Sequence, residues 1–278
     1  MNARRDALLV AGHGSRDHDG VAECGALVNH LRTLRPGLPV RLGFIELAPP
    51  PIHDAVVGLV AGGATSITVV PLVLLGAGHA KTDVPAAIQR LRRTHSEVTF
   101  RYAAPLGVHP DLLTIVDERL DAVVPSSARR DTAVLLVGRG SSDPDANADL
   151  AKVARLIWEG RGHLAVEFAF VGVTSPRVEA GLERCRRLGA SRIAVVPYFL
   201  FTGVLLRRIQ AQADAFAAAN PDLEVIVTSH LGADRRIAKL VLGRFDEARA
   251  GHVQPNCDLC HYRVPMPFFF ILICSPQT

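Results

Sequence analysis

What most limits the folds open to this chain is that it carries one pattern twice. Val10-Ala11-Gly12-His13-Gly14-Ser15-Arg16-Asp17 returns as Leu136-Val137-Gly138-Arg139-Gly140-Ser141-Ser142-Asp143, Phe44-Ile45-Glu46 returns as Phe170-Val171-Gly172, and Val70-Pro71 returns as Val196-Pro197. Position 13 maps to 139, 46 to 172 and 71 to 197, one offset of 126 residues throughout. A period this long implies two copies of a domain-sized unit and excludes a solenoid of short repeats. The copies differ at three places at once, because His13, Glu46 and His79 of the first stand where the second has Arg139, Gly172 and Leu205. The first copy is equipped for chemistry and the second for support.

Within each copy, short β-branched or Leu-rich runs alternate with longer amphipathic segments, the signature of βαβ units and a parallel sheet covered on both faces. Strands are expected at Ala7–Ala11, Val40–Ile45, Ser66–Pro71 and Val98–Tyr102, and again at Ala133–Val137, Ala165–Val171, Arg192–Pro197 and Glu224–Thr228. Helices fall between them: Val21–Leu34 ends at Pro36-Gly37, Ile52–Ala61 ends at Gly62-Gly63, and Asp83-Val84-Pro85 reads as an N-cap with an early proline. A fourth helix starts near Pro110, and the second copy repeats the order near Asp145–Glu159, Arg177–Leu188, Leu206–Asn220 and Asp234–Arg249. The expected fold is therefore α/β, with one lobe over 1–125, a second over 131–250 after the polar stretch Pro125–Arg130, and a Cys-containing tail over 251–278.

A hydrophobic fraction of 49% with 21% charged residues suits a globular protein with large cores. The formal charge of +4 is spread along the chain and aromatics make up only 5%, so the clustered basic stripe of a nucleic-acid binder is missing and a small polyanionic substrate fits better. No run reaches the ~20 apolar residues of a membrane span, and Ala7–Ala11 is shorter than a secretory core segment. The cysteines form no evenly spaced framework, so the chain reads as cytoplasmic. Oligomeric state leaves no mark in the sequence.

His13 lies just past the first strand, Glu46 directly follows the second and His79 lies in the loop after the third. In open α/β sheets the carboxyl edge of the strands is where ligands bind. Two imidazoles and a carboxylate suit a divalent first-row ion such as cobalt, iron, nickel or zinc, and three protein ligands leave coordination positions open. The turn Gly12-His13-Gly14-Ser15 is neither a dinucleotide fingerprint, since Asp17 stands where a third glycine is needed, nor a nucleophile elbow. Arg16, Lys81, Arg139 and Arg207 each sit in or just after a strand-end loop and are the candidates to grip carboxylates of a substrate, Arg139 through its fixed fork.

These motifs, the run Val10–Asp17, Phe44-Ile45-Glu46, and Val70-Pro71-Leu72 leading to Gly78-His79, resemble the sirohydrochlorin chelatases of the CbiX type over about Asp6–Ala248. The resemblance implies two flavodoxin-like, chelatase-like lobes around a cleft, in a lyase of cobalamin or sirohaem synthesis that needs no ATP. It implies insertion of Co²⁺, or of Fe²⁺ or Ni²⁺, into the tetrapyrrole, with His13, Glu46 and His79 as metal ligands. Insertion exchanges two pyrrole N–H protons for one M²⁺, so His13 and His79 are the catalytic candidates: an imidazole titrating near 6.5 can hold an ion or take a proton. Long members of the family have fused halves with ligands kept in one, and a cysteine-bearing C-terminal extension. Cys257 and Cys260 resemble that extension and are candidates for a metal or iron–sulfur centre, although a cluster usually needs four thiolates.

Two rival readings stay open on sequence alone. One is a non-catalytic carrier of metal or tetrapyrrole; the other is a phosphoryl-transfer enzyme with His13 as nucleophile and Arg16 as clamp.

Overall fold

In the computed structural model, residues 5–253 are described, apart from the side chain of His79. The first repeat runs β1 (Asp6–Gly12), α1 (His18–Leu34), β2 (Val40–Phe44), α2 (Ile52–Ala61), β3 (Ser66–Pro71), a π-helical turn (His79–Asp83), α3 (Val84–Thr94), β4 (Thr99–Tyr102) and α4 (Pro110–Asp121). A short 3₁₀ turn, Ser126–Asp131, leads into the second: β5 (Thr132–Gly138), α5 (Pro144–Trp158), β6 (Ala165–Phe170), α6 (Val178–Arg187), β7 (Arg192–Pro197), α7 (Val204–Ala219), β8 (Glu224–Val227) and α8 (Arg235–Ala250). Each repeat forms its own parallel four-stranded sheet, ordered β2-β1-β3-β4 and β6-β5-β7-β8. The α/β fold and its two lobes are those expected.

One expectation is corrected at α3. Asp83 has right-handed helical dihedrals and its side chain caps nothing, because the chain is already coiled from residue 79 in the wider π form. In the second repeat the matching first turn, from Leu205, is ordinary α-helix inside α7. Single π-helical turns are uncommon and concentrate at functional positions.

Alternation along the strands divides the interior into three cores. On β1, Ala7, Leu9 and Ala11 face outward to α2 and α3, while Leu8 and Val10 face inward to the other repeat. The second sheet does the same, with Leu135 and Val137 toward α6 and α7 and Val134 and Leu136 toward the centre. Five layers result, and the middle layer belongs to both repeats.

That middle layer contains an exchange. Helix α8 packs on α1 and on β3 and β4 of the first sheet, and α4 packs on α5 and on β7 of the second. Fully buried Leu112, Ile115 and Val116 on α4 and Val241 and Phe245 on α8 join one continuous cluster with residues of both sheets. Matching hydrogen bonds tie each helix to the opposite repeat: Arg119 on α4 donates to the carbonyls of His230 and Leu231, and Arg244 on α8 to those of Pro105 and Leu106. Arg35 grips Asp246 at 2.7 Å through both nitrogens, and Arg161, in the equivalent place, reaches Asp117 at 2.5 Å.

A fragment ending at residue 125 would keep α4 without its sheet and leave β3 and β4 without α8. Two copies can satisfy both needs by exchanging α4, so the fragment is expected to sediment as a dimer. A stable folded monomer would contradict the exchange.

Candidate functional site

The parallel register puts Gly12 level with Phe44 and Ala11 level with Pro71, so β1, β2 and β3 end at a common edge. Beyond it the backbone pairing continues: Ile45 N–H donates to Gly12 O at 2.9 Å and Glu46 N–H to His13 O at 3.1 Å. This draws residue 14 against residue 46 so closely that a Cβ on Gly14 would lie 1.7 Å from Glu46 O, at a φ of +97°. Only glycine fits there. The second repeat preserves the same device, with Gly172 N–H on Arg139 O at 3.0 Å and a Cβ on Gly140 falling 2.1 Å from Gly172 O. Even the unusual left-handed residues recur, Leu47 at φ 66° and Val173 at φ 63°. The backbone frame is duplicated, and only the side chains mounted on it differ.

On that frame His13 Nε2 stands 3.5 Å from Glu46 Oε1, and His13 Nδ1 stands 3.3 Å from Gly14 O. A carbonyl oxygen can only accept, so a hydrogen bond there needs a proton on Nδ1, and Nε2 is the ring nitrogen that faces the carboxylate. His13 lines a cleft of about 680 Å³ between the repeats, walled by residues such as Leu47, Leu74, Phe199, Phe201 and Leu205. That volume is within the range of small-molecule sites. Glu46 lines a neighbouring hollow of about 530 Å³ with Pro51, His53, Asp83 and Arg90, so the His13–Glu46 pair stands at the partition between the two. The backbone of His79 opens the π-helical turn after β3, at the same edge. Among the described residues, no group of three His, Cys, Asp or Glu side chains is arranged to hold a metal ion. Cys24, at the cleft floor, is no substitute: burial pushes its thiol up to about 12, so it stays protonated at neutral pH.

The four basic candidates separate into two classes. Arg16 and Arg139 are exposed on the cleft wall and take part in no ion pair among the described residues. Lys81 and Arg207 are turned onto the protein itself. Lys81 Nζ lies 2.6 Å from Asp143 Oδ2 and 3.3 Å from Asp145 Oδ2, while Arg207 lies 2.6 Å from Asp17 Oδ2 and holds that carboxyl below the usual carboxylate range. Each link crosses between repeats. Sequence reasoning missed Asp17, Asp143 and Asp145, yet both members of each pair, 17 and 143 and 81 and 207, recur at the repeat offset. Glu23 adds a third crossing, accepting from the Thr202 N–H at 2.8 Å and meeting His230 Nε2 at 3.0 Å. Cys257 and Cys260 lie outside the described residues. No helix among the described residues is long and apolar enough to cross a membrane.

Comparison with known proteins adds to this geometry. The family model described as CbiX matches residues 7–123 and again 133–248. A sirohydrochlorin cobaltochelatase of Priestia megaterium is 37% identical over 261 residues, 93% of this chain and 85% of the relative. A sirohydrochlorin ferrochelatase of Bacillus subtilis (strain 168) is 33% identical over 248 residues, covering 88% and 93%. The solved structure of SirB from Bacillus subtilis with Fe³⁺ superposes with a TM-score of 0.77 at 31% identity, covering 89% of this chain and 96% of that one.

The glycine constraint is testable. Gly14→Ala and Gly140→Ala each force a backbone shift, with an expected loss of about 2–4 kcal/mol in urea unfolding. Loss in only one of the two variants would contradict the equivalence of the frames.

Proposed function

Because this chain belongs to the CbiX family, we propose that it is a sirohydrochlorin chelatase, inserting Co²⁺ into sirohydrochlorin and releasing two protons. The observation that carries the reading is the His13–Glu46 pair at the mouth of the inter-repeat cleft, on a backbone frame whose second copy has arginine and glycine instead. His13 through Nε2, Glu46 and His79 are the ligands of the incoming ion. Cobalt is put first because the cobaltochelatase relative is the more similar of the two reported; the ligand types themselves accept Fe²⁺ equally, since intrinsic affinities follow a general order and selection lies in geometry and supply.

The residues divide the work in a way the chemistry requires. The macrocycle enters the cleft with its apolar faces against Leu47, Leu74 and Phe199. Its carboxylates meet Arg16 on one repeat and Arg139 on the other, both unengaged among the described ion pairs. As the ion passes to the ring nitrogens, the ligands it leaves become bases, and two of them take up the two pyrrole protons. Charge is conserved, since one dication enters the ring as two protons leave. Lys81 and Arg207 are not assigned to substrate here, because their nearest partners are the protein's own carboxylates.

A phosphoryl-transfer reading is disfavoured by the same pair. A carboxylate 3.5 Å from His13 Nε2 repels a phosphoester at the point where in-line attack would have to begin.

The test mixes anaerobic protein, sirohydrochlorin and either Co²⁺ or Fe²⁺ and follows the absorption change of insertion. Acceleration is expected, with His13→Ala and Glu46→Gln each lowering kcat/KM at least about 100-fold, about 2.7 kcal/mol. Binding of both substrates without acceleration would make the protein a carrier. Arg139→Ala should raise KM about tenfold with kcat little changed, as expected for a group that grips the substrate equally in ground and transition states; an unchanged KM would remove Arg139 from the site.

A further inference from the structure

Two of the inter-repeat links, Lys81 to Asp143 and Asp145 and Arg207 to Asp17, are related by the repeat but are not alike. In both, an N-cap aspartate uses one oxygen for its helix and the other for a cation of the opposite repeat: Asp143 Oδ1 accepts from Asp145 N–H at 3.0 Å, and Asp17 Oδ1 from Asp19 N–H at 3.0 Å. On the side of Arg207 the link is single and half-open: Asp17 is 7% exposed but the arginine side chain is 62% exposed, and Asp19 is exposed without an ion pair among the described residues. On the side of Lys81 it is double and enclosed: the lysine is 10% exposed, Asp143 0% and Asp145 7%. The enclosed link is also the one attached to the π-helical turn that begins at His79, whereas the open link joins the ordinary first turn of α7, which begins beside Leu205.

We infer that Lys81 is a positioning residue for metal transfer: Asp143 and Asp145, carried by the repeat without ligands, hold Lys81 and thereby the turn that presents His79. The inference rests on the proposed role of His79 as a ligand. It assigns the second repeat a task beyond closing the cleft. Within this uncommon π-helical turn, Lys81 reaches across to the second repeat. A buried ammonium clamped by two carboxylates, themselves at the N-terminus of α5 where the helix dipole favours negative charge, supplies a restraint with one geometry. Groups that orient metal ligands from behind change metal affinity by about 10–100-fold when removed. Further bonds, from Thr82 Oγ1 to Gly78 O at 2.7 Å inside the segment and from Tyr102 Oη on β4 to Ala80 O at 2.6 Å, hold the backbone around Lys81.

The test exploits a difference in sign. If Lys81 acted only as a nearby positive charge, Lys81→Met would strengthen binding of a cation; as a positioning residue, its loss must weaken it. Co²⁺ is titrated into the full-length protein and followed by calorimetry and by the visible d–d absorption of the bound ion. Lys81→Met is expected to weaken Co²⁺ at least tenfold and to alter the d–d spectrum, while Arg207→Met, which breaks the mirror link, leaves the affinity within about twofold. If circular dichroism shows that Lys81→Met does not fold, the double variant Lys81→Met/Asp143→Asn, which removes both charges and keeps the cap, carries the measurement with the same expected loss. A folded variant with wild-type or tighter affinity and an unchanged spectrum would overturn the inference. His79→Ala separates the two readings: normal Co²⁺ binding by that variant sinks the ligand assignment itself, whereas its loss beside an unaffected Lys81 variant sinks only the positioning role.

Discussion

The structure depends on apolar helix faces that can be buried only by crossing between repeats. Each fully buried side chain such as Leu112, Ile115 or Val241 contributes about 1.5–3 kcal/mol, whereas solvent screening leaves an exposed ion pair such as Arg236–Glu118 adding little. Several such residues on α4 and α8 therefore outweigh the exposed charge links between the halves. Because each sheet borrows a helix from the other repeat, the two cannot separate without exposing both inner cores. The cleft between them is in consequence a fixed feature, and groups on its opposite walls can act on one bound molecule.

On that shared scaffold, the two repeats differ in the side chains at the strand ends and in the turn after the third strand of each. The ladder of Gly14 against Glu46 is repeated by Gly140 against Gly172, down to the left-handed Leu47 and Val173. What is not repeated is His13, Glu46 and the π-helical turn from His79. The second repeat has Arg139 and Gly172 at the first two of these places, and its Asp143 and Asp145, the equivalents of Asp17 and Asp19, meet Lys81. The frame is common to both copies, and residues of both line the cleft.

Much of this was legible beforehand for a physical reason. Parallel strands buried on both faces read as continuous β-branched runs, so all eight were recognisable, and a fixed offset is independent of how the chain folds. The exchange of α4 and α8 was not, because an amphipathic face records that it must be buried and says nothing about which sheet covers it. Lys81 and Arg207 were expected at substrate for a similar reason: position in a strand-end loop places a residue near the cleft, while its partner is chosen by tertiary packing. Helix α3 begins at Val84 as Asp83-Val84-Pro85 implies, but the Asp83 side chain makes no capping bond because the turn before it is already helical. Tyr198, at the repeat offset from Leu72, lines the cleft together with it, its hydroxyl buried and its titration pushed upward by that burial.

The central claim is that a divalent ion is taken up by side chains of the first repeat alone, at the His13–Glu46 pair. X-ray absorption at the cobalt edge of the Co²⁺-loaded protein tests it most directly. The account predicts imidazole nitrogen and carboxylate oxygen scattering at about 2.0–2.2 Å, with the imidazole signal reduced in His13→Ala. A shell of sulfur or of water oxygens alone, unchanged in that variant, would contradict it.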